Sequence, residues 1–308
     1  MSTSPLPAVA AAAAAMFTVG TLAAISAVIQ GYPLYGGQAL RYGAAAVILL
    51  VIAAAGRQPR PRLTSRDRMF VVALAAVGLV LFNVCVVEAT RYANPAVVGT
   101  IIGSVPIALA VAGPLLTGAT DGRRRPSPRV VTAAVIIVVG ASVTTGLGSG
   151  SLRGVLLALG ALTCEVGFSL LAMPILPKLG PIRVSAYSVA TATPLLLLVG
   201  ALVDGRDLVR TPTAAELAGL AYLAAVVSVG AFLLWYFALP RLGPDRAGLL
   251  AGFAPVGAIV TTVVLGLGSP TAADLAGSAL VIGGIAIGVG RERPRVSAAV
   301  VAPAAAPT

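Results

Sequence analysis

The sequence predicts an all-α membrane protein with ten transmembrane helices, arranged as two inverted five-helix repeats. Three observations lead to this prediction. Of the 308 residues, 58% are apolar and only 10% are Asp, Glu, Lys or Arg, whereas a soluble domain carries about 25% charged residues. The apolar residues fall into runs of about 20, the length that a helix needs to cross a bilayer. A Gly/Pro motif recurs 149 residues later in the chain.

Ten apolar runs have this length, and polar or Pro/Gly-rich connectors separate them. The runs cover residues 8–29, 34–55, 69–88, 95–117, 130–147, 154–176, 183–203, 214–238, 245–267 and 272–290. Each run is apolar on nearly all sides, and backbone groups in lipid must be hydrogen-bonded internally, so each is predicted to be a helix. Residues 291–308 are rich in Pro and Ala and are predicted to form a disordered cytoplasmic tail.

The basic residues predict the orientation. With a cytoplasmic N-terminus, the cytoplasmic connectors and tail hold 16 Lys and Arg residues and the outer connectors hold four. Basic residues concentrate in cytoplasmic loops, so both termini are predicted to lie inside a multi-pass protein of the cytoplasmic membrane. This distribution explains the net charge of +11 without a nucleic-acid partner. Binding of anionic membrane lipid by the same clusters remains an alternative.

An internal repeat divides the chain into halves, predicted as residues 8–147 and 153–290. The motif P-x3-G-x3-G-x2-P occurs twice, as Pro95, Gly99, Gly103 and Pro106 and as Pro244, Gly248, Gly252 and Pro255. Farther along, Ala133 and Gly140 align with Gly277 and Gly284. Because five helices per half is an odd number, the second half enters the membrane from the opposite side. Inverted repeats of this kind are typical of secondary transporters.

The repeated Gly and Pro residues have a physical role in the prediction. Each Gly pair lies one helical turn apart and lets neighbouring backbones approach closely. Pro106 and Pro255 lie about 16 Å into their runs, near the bilayer midplane, where they are expected to break the helix. Such breaks are tolerated where protein or a wet cavity satisfies the freed carbonyls. Shaping of the bundle and direct substrate binding both remain open as the purpose of these breaks.

The run from Ala89-Thr90-Arg91-Tyr92 to Pro106, its copy from Phe237-Ala238 to Pro255, and the last helix from Leu275 to Gly288 resemble EamA-type carriers. These carriers belong to the drug/metabolite transporter superfamily. The resemblance implies a ten-helix inverted-repeat carrier, often an exporter of amino acids, metabolites or toxic compounds, with a central cavity lined by the first four helices of each half. One departure is that Leu116-Thr117-Gly118 and Leu267-Gly268-Ser269 lack the acidic residue that members often carry there.

Charged side chains inside the spans are the candidates for transport chemistry, because each costs about 2.5–3.5 kcal/mol to insert. Glu165 lies near the middle of the sixth run, and Arg41 lies in the second, one turn after Gln38. Asn83 is a polar residue deep in the third run. Glu165 is expected to exchange a proton for substrate, since low dielectric favours a protonated carboxyl, and Arg41 to hold a substrate carboxylate or control the charge of Glu165. A structural Arg41–Glu165 pair, or a protonated Glu165 hydrogen-bonded across helices, is the alternative.

The aromatic residues near the run ends are expected to form interfacial belts. They are Tyr35, Tyr42, Tyr187, Trp235 and Tyr236, and contact of Trp235 and Tyr236 with a substrate ring is the alternative.

Composition also excludes several classes of function. The chain has no His and only two Cys residues, so it predicts no catalytic triad, no metal site and no cofactor. It lacks a phosphate-binding G-x4-G-K-[ST] loop. The prediction is therefore a secondary transporter, an exporter of a small metabolite, amino-acid-like or drug-like molecule, with protons as a candidate coupling ion and a monomer or homodimer as the assembly. A non-transporting membrane scaffold and an intramembrane enzyme are the alternatives.

Overall fold

The computed structural model describes residues 6–56, 61–93, 98, 101–116, 128–145, 151–267, 269 and 271–289. Within these ranges the chain is helical and forms no β-strand. The helices are α1 (Leu6–Val28), α2 (Leu34–Ala55), α3 (Ser65–Tyr92), α4 (Val105–Leu116), α5 (Pro128–Thr145), α6 (Leu152–Ala172), α7 (Leu176–Val203), α8 (Ala214–Leu242), α9 (Pro244–Val264) and α10 (Ala272–Val289). A short 3-10 helix, Gly205–Leu208, lies between α7 and α8.

Seven of these helices are long and apolar enough to cross a bilayer: α1 over Leu6–Ser26, α2, α3, α6, α7, α8 and α9. The apolar stretches of α5 and α10, Pro128–Gly140 and Leu275–Gly288, are shorter, and α4 has 12 residues. The chain is thus an all-helical, multi-pass membrane protein, and the number of ten spans stays a prediction. The predicted tail, 291–308, lies outside the described residues.

Two pairs of helices at equivalent positions in the two halves, α5 with α10 and α2 with α7, pack against each other in antiparallel fashion. In the α5–α10 pair, Gly140 meets the backbone of Gly277, and Gly284 meets the backbone of Ala133. The number of the partner residue falls as the number in α5 rises, so the two helices run in opposite directions. The α2–α7 pair behaves likewise, since Gly200 meets Tyr35 and Gly43 meets Thr193.

The first helix of each half packs into the other half. Helix α1 contacts α8 and α9, and its counterpart α6 contacts α3 and α4. The backbones of α1 and α9 come very close where the two helices cross. A Cβ atom placed on Gly20 would lie 1.9 Å from the carbonyl oxygen of Ala254, and one on Gly257 would lie 2.0 Å from that of Phe17. Only glycine at these positions permits this crossing.

Helices α3 and α8 begin with capping boxes that lie 149 residues apart. At the start of α3, the backbone N–H of Thr64 donates to Asp67 Oδ2 (2.8 Å) and that of Asp67 donates to Thr64 Oγ1 (3.2 Å). At the start of α8, Thr213 and Glu216 exchange the same two hydrogen bonds at 2.8 and 3.3 Å. Each box satisfies two backbone donors that the first helical turn leaves free. It also holds a carboxylate at a helix N-terminus, where the helix dipole favours negative charge.

Each of these carboxylates also binds a cation from elsewhere in the chain. Lys178, in the first turn of α7, forms an ion pair with Asp67. Arg210 donates to Glu216 Oε2 from Nη1 (3.0 Å) and to the carbonyl of Gly31, in the segment after α1, from Nη2 (2.9 Å). The start of α3 is therefore tied to the start of α7, and the start of α8 is tied through Arg210 to the connector that follows α1.

Both repeated prolines lie where a helix restarts after a break. Pro106 is the second residue of α4, which follows a turn at Gly103 and Ser104. Pro255 lies in the first turn of the Phe253–Val264 segment of α9, which follows a short 3-10 segment. The predicted helix break is present at both sites. The prolines start a new segment, where a missing N–H costs nothing, instead of kinking a continuous helix.

The α1–α9 crossing yields a prediction on stability. Replacing Gly257 with Ala should lower the free energy of unfolding by about 1–3 kcal/mol, because the new methyl group would push against backbone atoms of Phe17. The matched control is Gly283→Ala in α10, where an added Cβ meets no atom of the described residues within 4 Å. Thermal unfolding in detergent measures both variants, and equal midpoints for the two would contradict the close crossing.

Candidate functional site

A cavity of about 330 Å³ lies between helices of both halves. Helices α1, α2 and α3 line it together with α6 and α8 and with Ile102, which precedes α4. Most lining side chains are apolar or aromatic. A largely apolar cavity with a few polar groups is the usual form of a small-molecule site, and this volume is near the lower end of the ordinary range of about 300–1,000 Å³.

The structure brings all four predicted substrate or coupling residues into this one cavity. Gln38 and Arg41 reach it from α2, Asn83 from α3, and Glu165 from α6. In the sequence these residues are separated by up to 127 positions, and the packing of α6 against α3 places Glu165 beside the first half. Their roles in transport stay predictions.

Arg41 is the most deeply buried of the four, with 4% of its surface exposed. Its Nε donates to Ser228 Oγ of α8 (2.7 Å), its Nη1 donates to Gln38 Oε1 (3.1 Å), and its guanidinium lies 5.0 Å from the ring centre of Tyr42. Both hydrogen-bond acceptors are neutral. The guanidinium is thus oriented by α2 and α8 without an acidic partner among the described residues.

Glu165 is partly exposed, and its exposed surface belongs to the cavity lining. In the described part of the chain its carboxyl makes no hydrogen bond and no ion pair within 4 Å. The Arg41–Glu165 pair, one of the alternatives above, is therefore not formed in this conformation. The carboxyl is available to a proton or to a ligand in the cavity.

Two π-helical segments contribute to the cavity, and both were missed by the sequence interpretation. They are Leu74–Leu81 in α3 and Leu223–Ala231 in α8, and their first residues are 149 positions apart. Gly78 lines the cavity from the first segment, and the second carries Ser228, the partner of Arg41. The side chain of Asn83 donates to the carbonyl of Leu79 (2.6 Å), inside the first segment. π-Helical turns are rare and often mark functional sites.

An aromatic cluster bounds one end of the cavity. Phe168 of α6 lies 5.0 Å from Phe232 and 5.2 Å from Tyr236 of α8, measured between ring centres. Trp235 lines the cavity, and its Nε1 donates to Ser169 Oγ (3.3 Å). We call these five residues the α6–α8 cluster.

The assignment of Trp235 and Tyr236 to an interfacial belt is wrong, because only 3% and 0% of their surfaces are exposed. Tyr35 and Tyr42 are also buried. Their ring faces are covered by neighbouring helices, so these side chains serve the interior of the bundle. Their position near the ends of apolar runs was a poor guide to their surroundings.

Two of the repeated glycines lie in close contacts between helices and do not line the cavity. A Cβ atom on Gly248 would lie 2.8 Å from the side chain of Leu109 in α4, and one on Gly252 would lie 2.7 Å from that of Val281 in α10. Gly103 and Pro106 lie at the break before and within α4. Gly99 and Pro95 lie outside the described residues.

Comparison with known proteins agrees with this architecture. The chain is 24% identical over 286 residues to the uncharacterized transporter YetK of Bacillus subtilis (strain 168), which covers 90% of this chain and 85% of that protein. A protein of known crystal structure superposes with a TM-score of 0.76 at 22% identity, over 91% of this chain and 95% of the other. The second comparison shows a shared fold only.

A family profile matches the chain twice, over residues 6–146 and residues 152–289, and its description is the EamA-like transporter family. The two matches cover most of the sequence, and they confirm the resemblance that the Gly/Pro motif and the last helix indicated. The protein belongs to the EamA-like transporter family.

Proposed function

We propose that the protein is a secondary transporter that exports a small molecule across the cytoplasmic membrane by alternating access. The observation that carries this proposal is the cavity between the two halves, which gathers Arg41, Glu165, Gln38 and Asn83 at one place. Family membership and the transporter relative support the same function. An intramembrane enzyme needs converging catalytic groups, and the cavity offers one carboxyl without a His.

The proposed mechanism requires two halves of opposite orientation. The antiparallel α5–α10 pair supports this, because its contacts are exchanged by the repeat: Gly140 corresponds to Gly284, and Gly277 corresponds to Ala133. A pseudo-twofold axis in the membrane plane produces this pattern, which fits halves 8–147 and 153–290. Repeats of the same orientation would make the corresponding helices parallel.

Because the first helix of each half packs into the other half, the bundle contains two groups of helices that can move against each other. One group contains α1, α8 and α9, and the other contains α6, α3 and α4. The cavity lies between them, lined by α1 and α8 on one side and by α3 and α6 on the other. Rocking of one group against the other would open the cavity to each face in turn.

The conformation described here corresponds to an outward-facing state in this proposal. The cavity extends to Ser26, Leu34 and Val87, at the helix ends assigned to the outer face by the basic residues. The α6–α8 cluster closes the opposite, cytoplasmic end. It joins the two helix groups through side chains, and the packing of Gly248 in α9 against Leu109 in α4 joins them as well. Separation at these contacts is the step that would admit substrate from the cytoplasm.

We predict that Trp235→Ala weakens this closure and shifts the protein toward an inward-facing state. Spin labels on the ends of α6 and α8 report the change, in a background of Cys85→Ala and Cys164→Ala. The distance between labels at exposed positions 174 and 241, at the cytoplasmic end, should lengthen. The distance between labels at exposed positions 151 and 215, at the outer end, should shorten.

The control is Leu234→Ala, which removes a neighbouring side chain that is 36% exposed and does not line the cavity. It should leave both distances unchanged. If Trp235→Ala lengthens both distances, the change is general loosening and alternating access between these groups is contradicted.

Glu165 is the proposed site of proton coupling, because its carboxyl faces the cavity without a fixed partner among the described residues. We predict that Glu165→Gln removes the effect of an imposed pH gradient on flux while leaving folding and insertion intact. The assay uses the purified protein in liposomes with a panel of metabolites, and the coupling test uses a compound that the wild type transports.

The matched control is Glu88→Gln, which removes a carboxylate that is paired with Arg91 (3.1 Å) near the end of α3 and does not line the cavity. It should retain the response to the gradient. Undiminished gradient-driven flux in Glu165→Gln would overturn the coupling role. No protein-dependent flux for any compound in a broad panel would favour the scaffold alternative.

A further inference from the structure

We propose that the cavity takes small monocarboxylates with an apolar body, and that Arg41 binds the carboxylate. This inference rests on the proposed function only in taking the cavity as the substrate site. It narrows the broad range of substrates that the family resemblance implies to one chemical class.

The guanidinium of Arg41 carries a positive charge that no anionic partner among the described residues neutralises. Arg41 is buried within α2, yet both of its hydrogen-bond acceptors, Ser228 and Gln38, are neutral. Among the described residues, no carboxylate lies within 4 Å of its guanidinium, and Nη2 makes no hydrogen bond. A buried cation of this kind is stabilised by an anion, and an anionic ligand in the cavity can reach it.

Two hydrogen bonds fix the orientation of the Arg41 guanidinium. Ser228 fixes Nε from α8 and Gln38 fixes Nη1 from the preceding turn of α2. A guanidinium held at two of its nitrogens is pre-organised to donate to a planar anion with its remaining N–H groups. A carboxylate has the matching geometry, because its two oxygens accept parallel hydrogen bonds from arginine.

The volume and the lining of the cavity set the size and polarity of the ligand. The cavity holds about 330 Å³, and aromatic rings of Phe82, Phe168 and Phe232 form much of its wall. An apolar body gains by contact with these rings. Among the described lining residues, Arg41 is the one cationic side chain, which matches the charge of a monoanion better than that of a dianion such as a phosphate monoester. One positive group and an apolar wall therefore select a monoanion.

The test uses the fluorescence of Trp235, which is the single tryptophan of the sequence and lines the same cavity. Purified protein in detergent is titrated with 4-methylpentanoate, with its α-amino derivative leucine and with the neutral 4-methylpentanamide. Saturable fluorescence changes are expected with at least one of the two acids and not with the amide. The tighter of the two acids identifies whether the ligand also carries an ammonium group. Equal binding of the amide and the acids would overturn the proposal, as would no binding of either acid.

Variants assign the binding to Arg41. Arg41→Gln should weaken acid binding about 10- to 100-fold, as expected for loss of a charged hydrogen-bonding group, and Arg41→Lys should weaken it less. Arg206→Gln removes an exposed arginine that does not line the cavity and should leave binding unchanged. Unaltered affinity in a folded Arg41→Gln protein contradicts the proposal.

Ser228 keeps the test decisive if the Arg41 variants do not fold. As a positioning residue, Ser228→Ala should weaken acid binding about three- to tenfold, while Ser228→Thr, which keeps the hydroxyl, should restore it. Equal affinities in the Ala and Thr variants would contradict the role of Ser228 in orienting Arg41. Liposome flux separates this inference from the transport proposal: flux of neutral compounds alone would leave transport standing and refute the carboxylate class, whereas acid binding without flux would do the reverse.

Discussion

In a bilayer core, apolar side chains gain little by moving from lipid to protein, so helices associate through close backbone contact at small residues. Here those contacts join helices of opposite halves, at Gly20 and Gly257 between α1 and α9 and at Gly140 and Gly284 between α5 and α10. The two halves are thereby interleaved instead of lying side by side. Helix α1 packs with α8 and α9, helix α6 packs with α3 and α4, and the cavity lies between these two sets of helices.

Few polar groups lie inside this bundle, and placing each of them there costs free energy. Arg41 is held by neutral acceptors from α2 and α8, and Glu165 faces the cavity from α6. Each polar group comes from a different helix of the interleaved bundle, so the proposed movement of the helix groups would change their separation and surroundings. In the proposed cycle, the same movement that parts the α6–α8 cluster also alters the site at which substrate and proton bind.

Much of the fold was predictable from sequence, because lipid leaves little choice of backbone structure: a long apolar run must be helical. The repeat was visible because Gly and Pro answer specific structural requirements: Gly252 packs too closely against Val281 for a side chain, and Pro255 lies in the first turn of a helical segment. Glu165 and Arg41 stood out because charge in a span is expensive. The partner Ser228 and the π-helical segments were not predictable, since they depend on how α3 and α8 pack. The burial of Trp235 could have been suspected, because Phe232, Trp235 and Tyr236 share one helical face at spacings of three and four residues.

The central claim is that the two halves cross the membrane with opposite polarity. Single cysteines at exposed positions 62 and 211, which are 149 residues apart and precede the two capping boxes, test it directly in a background of Cys85→Ala and Cys164→Ala. A membrane-impermeant maleimide should label position 62 only from the cytoplasmic side and position 211 only from the outer side. Labelling of both positions from the same side would contradict the inverted arrangement and the mechanism built on it.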